Sequence, residues 1–282
     1  MKVEGKAFII TGGLGSIGGA TARNLVSKGA YAVLFDILAP ADAEGKIATF
    51  ERADRYFYEQ TDIIDRAKME ASCRSALSKI PKGSLFGAVH CAAIAPGKPW
   101  SNSLMDKLAD FEKVMHVNAT GTFLVDAAVA DAINSQYLPL EVFHERVTEE
   151  RGVIINLSSI VGHEIPARSL TYGVSKKAVL GITEAVADFL APVGIRVNSV
   201  APALVLSPMM LAGGRDKFFQ SQLDAYSMFP RPFTEPDEIA AAIVFLMKNS
   251  MMNNFHLKVD AGWKQLSSWA AGDPRKISPL LE

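Results

Sequence analysis

Tyr172 and Lys176 stand four residues apart in Tyr172-Gly173-Val174-Ser175-Lys176, a spacing that puts both on one face of a helix. A free tyrosine titrates near pH ~10. It exchanges protons near neutrality only where its phenolate is stabilised, and a neighbouring ammonium group supplies that stabilisation. Taken alone, a Tyr–Lys pair at this spacing arises by chance in many helices. Ser159 adds to it, lying 13 residues before Tyr172 where the apolar run Val153–Leu157 empties into Ser158-Ser159. Its plainer reading is a helix cap or a strand-end turn. Asn118, inside the helical pattern Met105–Ala132, is unfavourable by propensity and needs a reason. A water chain leading from Lys176 is one reason, and a bond to a neighbouring strand is the other.

A second constellation lies near the N-terminus. The run Ala7–Ile10 is followed by Thr11-Gly12-Gly13-Leu14-Gly15-Ser16-Ile17-Gly18 and then by a helical pattern. Glycines here permit a tight turn whose N–H groups meet a pyrophosphate at the helix N-terminus, although many strand–helix turns carry glycine for steric reasons alone. Asp36 ends the next apolar run, 18 positions beyond Gly18. A carboxylate there accepts both hydroxyls of an adenosine ribose and repels a 2′-phosphate. No Arg or Lys occupies Gly13, Leu14 or Ile37 to welcome that phosphate, so NAD is expected rather than NADP. Asp62 is placed to meet the adenine amino group, or equally to cap the following helix.

The elements that must position these residues read clearly. Seven short apolar runs, Ala7–Ile10, Tyr31–Phe35, Tyr56–Tyr58, Leu85–Cys91, Val153–Leu157, Ile195–Val200 and His256–Val259, have the composition of strands buried on both faces. Helical patterns fall between them at Ile17–Lys28, Asp65–Lys79, Met105–Ala132, Tyr172–Leu190 and Pro236–Met247. Gly29 and Gly194 follow helices as stops, and Pro236 suits a first turn. This alternation predicts an α/β fold: one doubly wound parallel sheet of about seven strands with helices on both faces. A single domain is expected over residues 1–282. The irregular Ser207–Arg231 stretch, with Leu204–Leu206 before it, reads as a mobile flap over the site. Glu141–Arg151 reads as a solvated charged loop, with a partner-binding segment as the alternative.

Composition excludes several classes. A net charge of −1 offers no basic field for nucleic acid or an anionic membrane. Cys73 and Cys91 form no disulfide framework, and the five histidines show no pair at ligand spacing, so no metal is expected. Met1–Lys6 runs straight into an apolar strand without a signal segment, and no apolar run reaches the roughly 18 residues of a membrane span. A soluble cytoplasmic protein, or one of another intracellular compartment, is expected.

In order, the glycine-rich turn, the strand-end Asp36, Asn118, Ser159 and Tyr172-x-x-x-Lys176 resemble the short-chain dehydrogenase/reductase family over essentially the whole chain, from Gly5 to about Gly262. The resemblance is strongest to the branch of hydroxyacyl-CoA and hydroxysteroid dehydrogenases, through Cys91-Ala-Ala-Ile-Ala95, the charged stretch before Val153 and Leu190–Arg196. It implies a Rossmann fold and a catalytic tetrad of Asn118, Ser159, Tyr172 and Lys176. Tyr172 then moves the proton, Ser159 bonds the substrate oxygen, and Lys176 lowers the tyrosine pKa and grips the nicotinamide ribose. Asn118 links Lys176 to solvent. The implied cofactor site takes in Gly12, Gly15, Ser16, Ile17, Gly18, Asp36, Ile37, Asp62, Ile63, Cys91, Ala92, Tyr172, Lys176, Pro202, Val205 and Ser207. A homodimer or homotetramer is implied too, pairing Met105–Ala132 and Tyr172–Leu190, whose apolar positions exceed one core-facing stripe.

Four positions depart from the family pattern. Ser16 stands for its middle glycine, which bears on the pyrophosphate turn. His90 and Ala93 replace Asn and Gly after the fourth strand, and Ala203 replaces a glycine near the nicotinamide, removing a φ > 0 option. None touches the tetrad. The expected reaction interconverts a secondary alcohol and a ketone with NAD(H). Leu204, Val205, Leu206, Met209, Met210, Leu211, Phe218, Phe219, Met228 and Phe229 would line an apolar pocket, or simply pack the flap. Arg215, Lys217 and Arg231 would meet an acidic group such as a CoA phosphate, or stay solvated. Two rivals stand beside this reading: a non-catalytic dinucleotide-binding scaffold, and a non-redox enzyme, such as a cyclase, on the same fold.

Overall fold

The computed structural model describes residues 2–95, 103–138, 147–165, 169–211 and 233–262. Seven strands form one wholly parallel sheet: β1 (Ala7–Thr11), β2 (Tyr31–Asp36), β3 (Tyr56–Gln60), β4 (Leu85–His90), β5 (Gly152–Leu157), β6 (Ile195–Pro202) and β7 (His256–Val259), in spatial order 3-2-1-4-5-6-7. The order reverses between β1 and β4, which opens a crevice at the C-terminal strand ends, where open α/β sheets take ligands. Every strand expected from the sequence forms, most of them a residue or two longer than their apolar runs.

Two cores explain why the central strands are apolar throughout. Alternate residues of β1 point to opposite faces: Ala7 and Ile9 pack under α3 (Arg66–Lys79), α5 (Gly121–Asn134) and α7 (Leu170–Leu190). Phe8 and Ile10 pack under α1 (Ser16–Ser27) and α9 (Pro236–Lys248). Each buried Ile, Leu or Phe contributes about 1.5–3 kcal/mol by leaving water. The helix stops hold as expected: Gly29 and Gly194 take φ of +85° and +78°. Pro236 opens α9 behind a reciprocal cap in which the Glu235 N–H donates to the Glu238 carboxylate at 2.9 Å.

Three short helices escaped the periodicity: α2 (Pro40–Ile47), α6 (Ile160–His163) and α8 (Pro208–Leu211). The long pattern Met105–Ala132 is not one regular helix. A 3₁₀ turn and α4 (Leu108–Met115) lead into a π-helical turn, His116–Thr120, before α5 continues. Asn118 lies in that widened turn, the kind of irregularity found at functional sites. At its described end the charged stretch before β5 leaves Thr148 and Glu149 exposed and is anchored by two residues: Glu150 pairs with buried Arg196 at 2.6 Å, and Arg151 lies over Tyr137. Residues 141–146 and 212–232 lie outside the described residues, and with them most of the expected flap and its Phe218, Phe219, Met228, Phe229, Arg215, Lys217 and Arg231. No described helix is long and apolar enough to cross a membrane, and no metal-ligand cluster appears among the described residues.

Candidate active site

The glycine turn after β1 is sterically obligatory. Gly12 has φ of +59°, and a Cβ there would stand 3.0 Å from the Ala92 nitrogen. A Cβ on Gly13 would meet the Ile10 carbonyl at 2.7 Å, and one on Gly18 would meet the Gly12 carbonyl at 2.2 Å. The turn therefore folds on itself only with glycine at these positions. Gly15 has an ordinary φ of −78° and caps α1 without any side-chain bond, and Ser16 is simply the first helical residue. The Ser16 departure thus leaves the turn intact, because its place needs no positive φ. What remains is a helix N-terminus whose first N–H groups, from Ser16 to Gly18, have no partner within the helix, which suits a pyrophosphate.

Asp36 lies beside this cradle. Its carboxylate accepts from the Leu14 N–H at 3.1 Å and from the Ile37 N–H at 2.8 Å, tying the end of β2 to the turn. Asp62 is exposed and accepts from the Ile64 N–H at 3.2 Å, while the cap of α3 is Asp65, which accepts from Lys68. Ile63 turns its side chain into the core against Gly121, and Ile37 is largely exposed. On the far side of the turn, partly buried Cys91 and Ala92 follow β4, and the Ala92 N–H donates to the Thr11 hydroxyl at 3.3 Å. That hydroxyl also meets the Nδ1 of buried His90 at 2.6 Å, so His90 fills its departure position with a working bond. Burial, with Lys176 nearby, pushes His90 down to about 3, and burial pushes the Cys91 thiol up to about 12. Ala203 is not in the positive-φ region, so the missing glycine costs it no strain.

Ser159, Tyr172 and Lys176 meet at the C-terminal ends of β5 and β6. Ser159, which caps α6, donates to the Pro202 carbonyl at 3.4 Å and stands near enough to the Tyr172 phenol to pull its pKa down. Ser159 is thus the helix cap of the plainer reading, and the same residue stands beside Tyr172. Lys176 is almost wholly buried; its Nζ donates to the Leu157 carbonyl at 2.6 Å and lies 5.7 Å from the Tyr172 ring centre. Ser158 closes the grip from behind, donating to the Lys176 carbonyl at 2.8 Å. Val205 is buried beside Thr234, and Ser207 caps α8 through the Met210 N–H at 3.2 Å.

The Asn118 side chain makes three direct bonds. Its Oδ1 accepts from the Ile94 N–H and its Nδ2 donates to the Ile94 carbonyl, both at 2.9 Å, with a further bond from Nδ2 to Ser175 Oγ at 3.0 Å. It clamps the loop after β4, rather than a strand, to the turn before Lys176. On balance burial pushes the Tyr172 phenol up to about 12 against the smaller downward pull of Ser159, and burial pushes Lys176 down to about 8. Sequence reading also missed Ile94, Ser175 and the Leu157 carbonyl, which act through main chain or through a residue inside the Tyr–Lys spacing. Ile165, half exposed, was missed as well; it packs on Gly173, the residue after Tyr172.

Comparison with known proteins agrees with this geometry. The family model described as enoyl-(acyl carrier protein) reductase matches residues 12–264. The chain is 31% identical to 3-hydroxyacyl-CoA dehydrogenase type-2 of Bos taurus, over 92% of this chain and 95% of that one. It is also 31% identical to the 3-alpha-(or 20-beta)-hydroxysteroid dehydrogenase of Mycobacterium tuberculosis, over 93% and 90%. Among solved structures, the 3-ketoacyl-(acyl-carrier-protein) reductase of Brucella melitensis, complexed with NADH, superposes with a TM-score of 0.74 at 27% identity, covering 92% of this chain and 98% of that one. The glycine turn at the sheet's reversal point, the Tyr172–Lys176–Ser159 cluster beside it and these full-length matches together establish that the chain belongs to the short-chain dehydrogenase/reductase family.

Proposed function

We propose that the protein is an NAD(H)-dependent oxidoreductase that interconverts a secondary alcohol and a ketone on an apolar substrate. One observation carries this reading: the buried Lys176 Nζ, held by the Leu157 carbonyl, lies 5.7 Å from the centre of the Tyr172 ring at the crevice, with Ser159 beside the phenol. Gly12, Gly13, Gly15 and Gly18 with the N-terminus of α1 would hold the pyrophosphate of the cofactor, Asp36 the adenosine ribose, and Lys176 the other ribose. When bound, NAD(H) supplies or takes up the hydride.

The protein's own part is proton handling and orientation. Tyr172, neutral at physiological pH, gives its proton to a carbonyl oxygen in reduction. Ser159 donates to the same oxygen and stabilises the charge that develops there. In oxidation Tyr172 must first lose its proton, which the positive charge of Lys176 assists. Buried Leu204 and Val205 and half-exposed Ile165 and Leu170 support an apolar substrate, as do relatives named for hydroxyacyl-CoA and hydroxysteroid chemistry. We further propose a homodimer or homotetramer, supported by Phe123 and Phe189 standing exposed on α5 and α7.

The test is absorbance of NADH formed from NAD over a panel of steroids, hydroxyacyl-CoA thioesters, terpenoid alcohols and polyols. Turnover of an apolar secondary alcohol is expected. No NADH from any of them would overturn the redox reading, and preference for a polyol would overturn the apolar pocket alone.

A further inference from the structure

Three elements carry the acid–base groups: the π-helical turn leading into α5 holds Asn118, β5 leads to Ser159, and α7 holds Tyr172 and Lys176. Deeper in the core, one fully buried residue from each meets the others. Asn156 on β5 donates through Nδ2 to the Asp126 carboxyl on α5 at 2.9 Å and to the Thr183 hydroxyl on α7 at 3.2 Å. Thr183 passes its own proton to the Val179 carbonyl at 2.8 Å. Asn156 immediately precedes Leu157, whose carbonyl holds Lys176, and Thr183 lies seven residues, two helical turns, beyond Lys176. The proposed reaction leaves Asp126, Asn156 and Thr183 unused.

We propose that Asp126, Asn156 and Thr183 form an internal bracket that fixes α5 and α7 against β5, and that Asp126, held as a neutral carboxyl, is a positioning residue for the acid–base cluster. The assignment deepens the redox reading and rests on it. A carboxylate at Asp126 would keep one hydrogen bond in a fully buried place, with Oδ1 unpartnered and the Asn156 Oδ1 unpartnered as well. No cation bonds it among the described residues. The buried titratable groups on the packed elements are Cys73 on α3, His90 on β4 and Lys176 on α7, and the side chain bonded to Asp126 is Asn156. A proton removes the charge and its desolvation penalty. Burial accordingly pushes Asp126 up to about 7, against the Asn156 bond.

The sign of the pH effect follows. Between the ordinary carboxyl range and about 7, the folded chain holds a proton that the unfolded chain has lost, so Asp126 makes stability fall as pH rises. Asp126→Asn keeps the shape and a donor but cannot ionise. On the full chain, its thermal midpoint should gain about 5 °C on the wild type between about pH 5 and 8.5. Asp126→Leu removes the bond to Asn156. It should lower kcat on an alcohol found in the panel at least ~10-fold, with KM and NADH affinity within ~3-fold, and Asp126→Asn should restore kcat to within ~3-fold. Unchanged kcat in Asp126→Leu, or an Asp126→Asn as impaired as Asp126→Leu, would sink the positioning role. A flat midpoint difference would sink the neutral carboxyl, even where Asp126→Leu does not fold. The midpoint needs no substrate: no turnover in the panel with a rising difference defeats the redox reading and leaves the neutral bracket standing.

Discussion

The nucleotide cradle and the acid–base cluster lie side by side in one crevice but are built from opposite materials. The cradle is main chain: Gly12, Gly13 and Gly18 leave no room for a Cβ, and a single carboxylate, Asp36, ties the turn to β2. The cluster is buried side chain: Lys176 on the Leu157 carbonyl, Asn118 on Ile94 and Ser175, and Ser159 between Tyr172 and Pro202. The first is governed by sterics and absorbs a change of residue only where a Cβ has room, as at Ser16. The second is governed by desolvation, and its working state shifts with proton occupancy.

Four measurements sharpen the contrast. Tyr172→Phe removes one oxygen from the side-chain region and should lower turnover at least ~100-fold while NADH affinity stays nearly constant. Parallel loss of affinity would mean that the two regions are not separable. Gly18→Ala forces a methyl onto the Gly12 carbonyl and should weaken NADH binding roughly 30-fold by fluorescence titration, whereas Ser16→Gly should change it less than ~2-fold. Equal effects would show that the turn is not sterically fixed. Asp36→Ala should narrow the preference for NAD over NADP about 10-fold, the worth of a charge-assisted bond; an unchanged ratio would place the ribose elsewhere. Alcohol oxidation should rise several-fold between about pH 7 and 9, because Tyr172, pushed up toward 12, must lose its proton first. Ketone reduction over the same range should not rise, and matching profiles would remove Tyr172 as the titrating group.

The contrast also explains what the sequence made legible. The central strands were readable because they are buried on both faces and so largely apolar, while the partly exposed edge strands β3 and β7 showed through their aromatic and aliphatic residues. Helix spacing put Tyr172 and Lys176 on one face and a strand end placed Ser159 before them, and the family resemblance joined the three as a set. Partners were harder to read. Asn118 bonds the main chain of Ile94, 24 residues away, and the Leu157 carbonyl leaves no trace in residue type. The direction of the Tyr172 shift was missed because desolvation is a property of the packed core, not of spacing. The short helices α2, α6 and α8 span too few turns to show a period.

The packing of α1 along α9 carries a consequence for how the chain matures. Ala22, Leu25 and Val26 of the first helix are covered by Ile239, Ile243, Val244 and Met247 of a helix some two hundred residues later. At roughly 5–20 residues per second of synthesis, the nucleotide half must wait on the order of 10–40 s for its lid of side chains. During that time the nascent chain presents a greasy helix face to the ribosome's surroundings, so completion of the cradle is a late event and the early intermediate is a natural client for chaperones.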